Sequence, residues 1–334
     1  MNRTLSGNQS LSASISSSMR EFRMENGRTY HAYKDGQYAY PNDDQEQDRL
    51  DLQHALFLLS FENKLCLAPI KKNPQRVLDI GTGTGLWAID FGQSESPMHR
   101  LESNTATLVS GPQQRATHLN CLYLLEKGLQ CFSIPPNLSF ELDDANDPWI
   151  FSGKFDFIHC RQHHCAVNEK HMFEQAMEFL QPGGWIEMQE LAFPLSCDDG
   201  TMRTDSALYK WTDLMLQASR IVGQDLGNAS HYGKWMEEAG FENVRSTMYK
   251  WPGNHWPKGK KEKWRGLWMM QNHLEGLHGF TMGFFTRIHG WSPEAVEVFL
   301  ADVRKDIKST KIHVWWPVYV VYGQKPNLVG DSAG

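Results

Sequence analysis

Between Arg76 and Glu190, short apolar runs alternate with segments of helical spacing, and this alternation sets the expected fold. Val77-Leu78-Asp79-Ile80 predicts a short strand that runs into a glycine turn, Gly81–Gly85, and then a helix from Leu86 to Phe91. Leu138–Leu142 and Phe155-Asp156-Phe157-Ile158-His159 predict two further strands. A helix over Lys170–Leu180 stops at Pro182-Gly183-Gly184, where proline cannot continue it and glycine relieves the left-handed position; Trp185-Ile186-Glu187-Met188 is the next strand. Strands alternating with helices predict a parallel sheet. Upstream, Asp43–Asp48 loads acids at a helix start, and Leu50, Leu52, Leu56, Leu58 and Leu59 make that helix apolar enough to pack on the sheet.

After Glu190 the pattern turns helical. Leu208, Trp211, Met215, Ala218 and Val222 recur at helical spacing, and Ser292-Pro293-Glu294 predicts an N-cap with proline at the first helical position, opening a helix to about Lys308. Val314 to Tyr322, aromatic and β-branched, predicts a closing strand. The expected organisation is one domain over residues 26–326, between tails at 1–25 and 327–334. It comprises an N-terminal helical cap (26–72), a sheet (73–190), and a helical insertion with the last two strands (191–326). The first tail is rich in Ser and Asn and reads as disordered.

Composition narrows the function. A net charge of −6 over 334 residues gives no global attraction to nucleic acid or anionic membrane. No run approaches the ~18 apolar residues of a membrane span, and the N-terminus lacks the apolar core of a signal peptide. Six scattered cysteines without a Cys-x-x-Cys pair favour reduced thiols in an intracellular protein, cytoplasmic or nuclear.

The chemistry centres on Asp79-Ile80-Gly81-Thr82-Gly83-Thr84-Gly85. Open α/β sheets bind ligands beyond the C-terminal strand ends, and glycines there let backbone approach ligand closely. Leu86 and Trp87 after Gly85 exclude a phosphate-binding P-loop, which needs Lys-Ser/Thr. Gly83-Thr84-Gly85-Leu86-Trp87-Ala88 does match a dinucleotide fingerprint, but the Asp79 carboxylate would repel a pyrophosphate. It suits S-adenosylmethionine, which has no phosphate and carries an ammonium and a sulfonium. A nicotinamide oxidoreductase is the disfavoured alternative.

Val77 to Gly85 resembles the first motif of class I methyltransferases, and the resemblance extends to the fungal LaeA-like methyltransferases over nearly the whole chain. It runs through "NGRTYHAYKDGQYAYPNDDQEQDRLDLQHALFLLS" (26–60), "FELDDANDPW" (140–149), "FDFIHCR" (155–161), "LQPGGWIEMQE" (180–190), "DSALYKW" (205–211), "FFTRIHGWSPEAVEVFL" (284–300) and "HVWWPVYVVYGQKP" (313–326). The resemblance implies a Rossmann-like, seven-stranded, doubly wound α/β sheet with its last strand antiparallel, and S-adenosyl-L-methionine as donor. It implies that Asp79 sits near the methionine amino group, that Gly81, Gly83 and Gly85 face the donor, and that a carboxylate of Asp143-Asp144, Asp144 by choice, accepts from the adenine amino group.

Residues 92–137 depart from the family pattern. Relatives place a second strand there, ending in an acid that can accept from both ribose hydroxyls. Ala106–Val109 hints at a strand, but Cys121-Leu122-Tyr123-Leu124-Leu125 is the better candidate, which makes Glu126 the expected ribose ligand and Glu102 the fallback. The competing reading is an insertion that damages the donor site. His159-Cys160-Arg161-Gln162-His163-His164-Cys165 is dense in metal-ligand types but lacks the paired clusters of a closed zinc site, so no metal is expected. His163 and His164 are acceptor-side candidates, with Tyr209 and Trp211 as pocket-lining aromatics beside Tyr30 and Tyr33. The other tryptophans, Trp251, Trp256, Trp264, Trp268 and Trp291, are first expected in the core. No residue identifies itself as a general base. Two functions remain open: methyl transfer to a small-molecule acceptor in fungal secondary metabolism, or a regulator of metabolite genes acting with protein partners. Neither implies direct contact with nucleic acid or membrane.

Overall fold

The computed structural model describes residues 22–25, 27–31, 41, 43–94, 104–109, 137–142, 144–163 and 166–327. A hairpin of β1 (Phe22–Glu25) and β2 (Arg28–His31) turns at Gly27 and opens the described chain. It begins inside the stretch read as tail, because four residues are too few for an alternation to stand out. Helix α1 (Asp44–Ser60) follows, capped by Asp43, whose carboxylate accepts from the Glu46 N–H at 3.1 Å. Asp44 and Glu46 add favourable negative charge to its first turn.

The sheet takes β3 (Arg76–Ile80), β4 (Asn104–Val109), β5 (Leu138–Leu142), β6 (Phe155–Arg161), β7 (Leu180–Leu191), β8 (Ser196–Cys197), β9 (Glu242–Pro252) and β10 (Val314–Gln324). Their order is β5-β4-β3-β6-β7-β10-β8, with β9 also on β10. The strands from β5 to β7 are parallel, and β10 runs antiparallel to its neighbours. Among the described residues the sheet has eight strands where seven were expected; the addition is the two-residue β8, which pairs with Val314 and Trp315. From β3 the chain winds one way to β4 and β5, then returns to β6 on the other side. The switch point therefore lies between β3 and β6, where such sheets open a ligand crevice at their C-terminal edge.

Two expectations change here. The second strand is Asn104–Val109, paired to β3 through Val77↔Thr105 and to β5 through Thr105↔Leu138. Its Thr-rich, β-branched sequence suits a strand without reading as strongly apolar. The reason for choosing Glu126, that it follows the second strand, does not hold with this strand; Val109 is followed by Ser110 and Gly111. Cys121–Leu125, Glu126 and Glu102 lie outside the described residues. The helical insertion is also not one block. Helices α4 (Ala207–Ile221) and α5 (Tyr232–Glu238) precede β9, whereas α6 (Lys260–Arg287) and α7 (Pro293–Lys308) lie between β9 and β10. The remaining helices are α2 (Leu86–Ser94), after the glycine turn, and α3 (Glu169–Phe179), after β6.

Apolar burial joins these parts into one body. Leu56 and Phe57 of α1 pack with Leu191, Trp211, Met215, Trp251, Met269 and Trp316, so the cap and the helices beyond β7 share a core. A second group gathers Leu78, Ile80, Ile158 and Ile186 with Phe173 of α3 and Met236 of α5. Val77 and Phe157 form a third with Trp87, Ala88 and Phe91 of α2. Among the described residues no helix is long and apolar enough to cross a membrane.

Phe57 is fully buried, edge-on to Trp251 with ring centroids 4.8 Å apart, and carries the Arg161 guanidinium 4.5 Å above its ring. Replacing it with alanine should cost about 3–5 kcal/mol of stability. Urea unfolding of the Phe57→Ala variant checks this; a loss under about 1 kcal/mol would show that α1 is not anchored through this ring.

Candidate active site

The glycine turn leaves the C-terminal end of β3. Gly81, Gly83 and Gly85 all have positive φ, at 70°, 56° and 82°, which explains the residue type. Asp79, one residue inside the strand, is buried with both oxygens engaged: Oδ1 accepts from His159 Nδ1 at 2.7 Å and Oδ2 from the Thr82 hydroxyl at 2.7 Å. Because the carboxylate can only accept, His159 carries its proton on Nδ1. Its ring stacks on Trp87 at 3.7 Å, and burial pushes its pKa down to about 4, so it is neutral at neutral pH.

His163 supplies a second tie. Its Nε2 lies 2.7 Å from the Ile80 carbonyl and therefore donates, and its backbone N–H donates to Glu190 Oε2 at 2.8 Å. A Cβ on Gly81 would lie 1.8 Å from His163 Nε2. Gly81 is thus required by a histidine of the protein, whereas a Cβ on Gly83 would meet only Leu50 Cδ1, at 3.6 Å. The acceptor-side expectation for His163 is corrected: the ring is buried against the turn because β3 and β6 end side by side.

Arg161, the last residue of β6, organises the opposite wall. Its Nε donates to Gln189 Oε1 at 2.8 Å and its Nη1 to His54 Nδ1 at 3.0 Å. His54 in turn donates from Nε2 to Asp90 at 2.9 Å. Burial lowers the guanidinium to about 10, which leaves it charged, and its Nη2 is buried without a hydrogen-bond partner. Next to it, Gln162 sits at φ 57°; its Oε1 accepts from Gln53 at 3.3 Å and its Nε2 has no partner. Arg161, Gln162, Asp79 and the glycine turn line one cavity of about 490 Å³, counting the part open to solvent. A half-buried cation with an uncommitted, buried N–H asks for an anion, and a carboxylate elsewhere in the same cavity asks for a cation. The amino-acid end of S-adenosylmethionine carries both, so these residues fit the expected donor.

A second cleft of about 610 Å³, measured the same way, shares Leu50, Gln53 and Gln162 with the first. Its far walls come from β7 and its exit (Leu191, Phe193), α4 (Met215), α6 (Met269, Asn272, His273, Phe280) and β10 (Trp316). Asp144 lies elsewhere, at the rim of a larger, polar cavity shared with Glu169, Glu190 and Asp225; its Oδ1 accepts from the Asn146 backbone and side chain. Asp143 and His164 lie outside the described residues, as do the Tyr30 and Tyr33 side chains. Tyr209 is 38% exposed on α4 and lines none of these cavities, because the capped first turn of α4 turns it to solvent. Trp211 is fully buried, its Nε1 donating to the Thr281 hydroxyl at 2.8 Å, which makes it core behind the second cleft rather than cleft lining. Sequence reasoning missed Arg161, Gln162 and His273. An arginine closing the strand Phe155–Arg161 was the available signal for Arg161.

Comparison with known proteins identifies the family. The profile of the methyltransferase domain family matches residues 52–246. The chain is 35% identical to a probable methyltransferase, tdiE, of Emericella nidulans, over 99% of this chain and 98% of that one. It is 33% identical to the methyltransferase pytC of Aspergillus terreus, covering 94% and 91% of the two chains. It is 30% identical to a secondary metabolism regulator of Cochliobolus heterostrophus, covering 91% and 94%.

Two outcomes follow from the site. Gly81→Ala forces its methyl into the His163 ring at a positive φ, so it should cost about 2 kcal/mol or more from the backbone and the lost Ile80 hydrogen bond together. Thermal unfolding measures it, and an unchanged midpoint would contradict the His163 tie. His159 has a folded pKa of about 4, below its ordinary 6.5. The unfolded chain therefore binds more protons between these values, and the histidine's contribution to stability, complete above pH 6.5, is lost as pH falls towards 4. Urea midpoints at pH 7 and 4.5 should converge in His159→Gln relative to the unsubstituted protein; an equal fall in both would show that His159 is not held neutral.

Proposed function

This chain belongs to the methyltransferase domain family and takes S-adenosylmethionine as its methyl donor, and from that premise we propose that the methyl group passes to a small aromatic or polyketide-like molecule of fungal secondary metabolism. The observation that carries the acceptor reading is the second cleft, largely apolar and sharing Leu50, Gln53 and Gln162 with the donor cavity.

The bound donor supplies an electrophilic methyl carbon on a positively charged sulfur. The protein's task is to hold that carbon and the acceptor atom in line and away from water. Arg161 and Gln162 offer their uncommitted N–H groups to the methionine carboxylate, and Asp79 provides the negative field for the ammonium. Gly83 and Gly85 keep the turn open; the resemblance gives the adenine amino group to Asp144, with Asp143 before it, although Asp144 lines a cavity separate from that of the glycine turn. Electrostatics supports the division of labour: Asp79 lines the cavity as a carboxylate that would attract the ammonium, and His159 beside it stays uncharged.

A second reading, a regulator that works with protein partners, is favoured by the relative named as a secondary metabolism regulator. Purified protein with methyl-labelled donor, offered a fungal metabolite extract in one reaction and nuclear protein in another, separates the two. Label in the metabolite fraction is the expected result. Label only in protein, or none together with a stable complex with nuclear proteins, would overturn the small-molecule reading and promote the regulator.

A further inference from the structure

The second cleft carries more chemistry than an apolar pocket needs. His273 is 1% exposed, yet its Nε2 has no hydrogen-bond partner. The same holds for Trp316 Nε1 and Gln162 Nε2, and all three residues line this cleft. Buried polar atoms are nearly always paired in folded proteins, so three unpaired nitrogens around one space are a feature to explain. Two neighbouring groups, by contrast, are paired. Trp211 Nε1 donates to Thr281, whose hydroxyl donates to the Leu277 carbonyl. Asn272 Oδ1 accepts from Arg49 Nη1, and Arg49 is doubly bonded to Glu46 at 2.9 and 2.7 Å.

Charge defines what the cleft can take. Arg49 and Glu46 neutralise each other on the wall, and His273 stays neutral because burial pushes its pKa down to about 3. Among the described residues lining the space no charge is left uncompensated, which favours a neutral occupant. The His273 ring is held between Trp211, 4.8 Å away, and Trp316, 5.0 Å away and edge-on, so its orientation is fixed before anything binds. Met215 and Met269 give the same walls the flexibility to admit a flat molecule.

We propose that His273, Gln162 and Trp316 form the recognition group for an oxygenated aromatic acceptor, His273 accepting the hydrogen of a hydroxyl while Gln162 and Trp316 donate to neighbouring oxygens. The amide and the indole can only donate through these nitrogens, and of the three only the imidazole can accept a hydroxyl hydrogen. His273 is a positioning residue: it fixes the orientation of the bound hydroxyl and stays uncharged beside a cationic donor. This assignment rests on the small-molecule reading above and deepens it.

The test compares 2-naphthol with naphthalene, two ligands of one shape that differ by a hydroxyl, using quenching of tryptophan fluorescence in full-length protein. The unsubstituted protein should bind 2-naphthol about tenfold more tightly than naphthalene. In His273→Phe that ratio should fall to within about twofold, and His273→Gln should restore part of it. S-adenosylhomocysteine titrated by calorimetry should bind both variants as it binds the unsubstituted protein, showing that the fold and the donor cavity are intact. An undiminished ratio in His273→Phe overturns the proposal, and so does the absence of any preference for 2-naphthol in the unsubstituted protein. A His273-dependent preference combined with label found only in protein would overturn the small-molecule reading while leaving the recognition group supported.

Discussion

The guanidinium of Arg161 is the constraint on which the site depends. It is a half-buried cation whose ring contact with Phe57 and hydrogen bond to His54 reach across to α1, while Gln189 holds it to β7. A buried charge is tolerated only with compensation. Asp79, Glu187 and Asp90 supply that through space, and all of them sit on elements that must be correctly assembled for the charge to be stable. The cap, the switch point of the sheet and the strand beyond it are therefore tied at one atom group. The nitrogen left over, Nη2, lies where an anionic group of the donor would complete the set.

Much of this arrangement was legible in the sequence, and the reason is periodicity. The strands Arg76–Ile80, Phe155–Arg161 and Leu180–Leu191 are central and buried on both faces, and short apolar-rich runs such as Val77-Leu78-Asp79-Ile80 stand out. The caps at Asp43, Ser206 and Ser292 each accept from the N–H three residues on. What escaped was polar or glycine-rich. β9 is exposed at most of its first nine positions, from Glu242 to Lys250, and offers no alternation. α6 carries glycines at 266, 276, 279 and 283, which read as breakers. They are there for close approach: a Cβ on Gly266 would lie 2.0 Å from the Asn254 carbonyl oxygen.

The site residues divide along the same line. Asp79 and the glycines follow from chemistry that any reader of the turn can reconstruct, since the charge of the ligand and the conformation of the backbone both leave a mark on residue type. His163, Tyr209 and Trp211 could not be placed that way. Each is an ordinary residue whose role depends on what the fold brings to it: Ile80 to His163, solvent to Tyr209, Thr281 to Trp211. The same limit hid His273, which lies on a helix whose periodicity was obscured.

Sharing walls between the two cavities has a functional consequence. Leu50, Gln53 and Gln162 border both, and Gln53 donates to the Gln162 amide, so whatever orders one side also orders the other. An occupant of the glycine-turn cavity that engages Gln162 fixes an amide that faces the second cleft as well. If the second cleft takes the acceptor as proposed, donor binding would also preorganise it, as suits a reaction whose catalysis is mainly alignment. It also explains why α1, rather than a mobile loop, covers the site: its Leu56 and Phe57 are buried in the same core as Met215, Met269 and Trp316. A cover packed that firmly can hold two reactants in register, whereas a loose one would admit water between them.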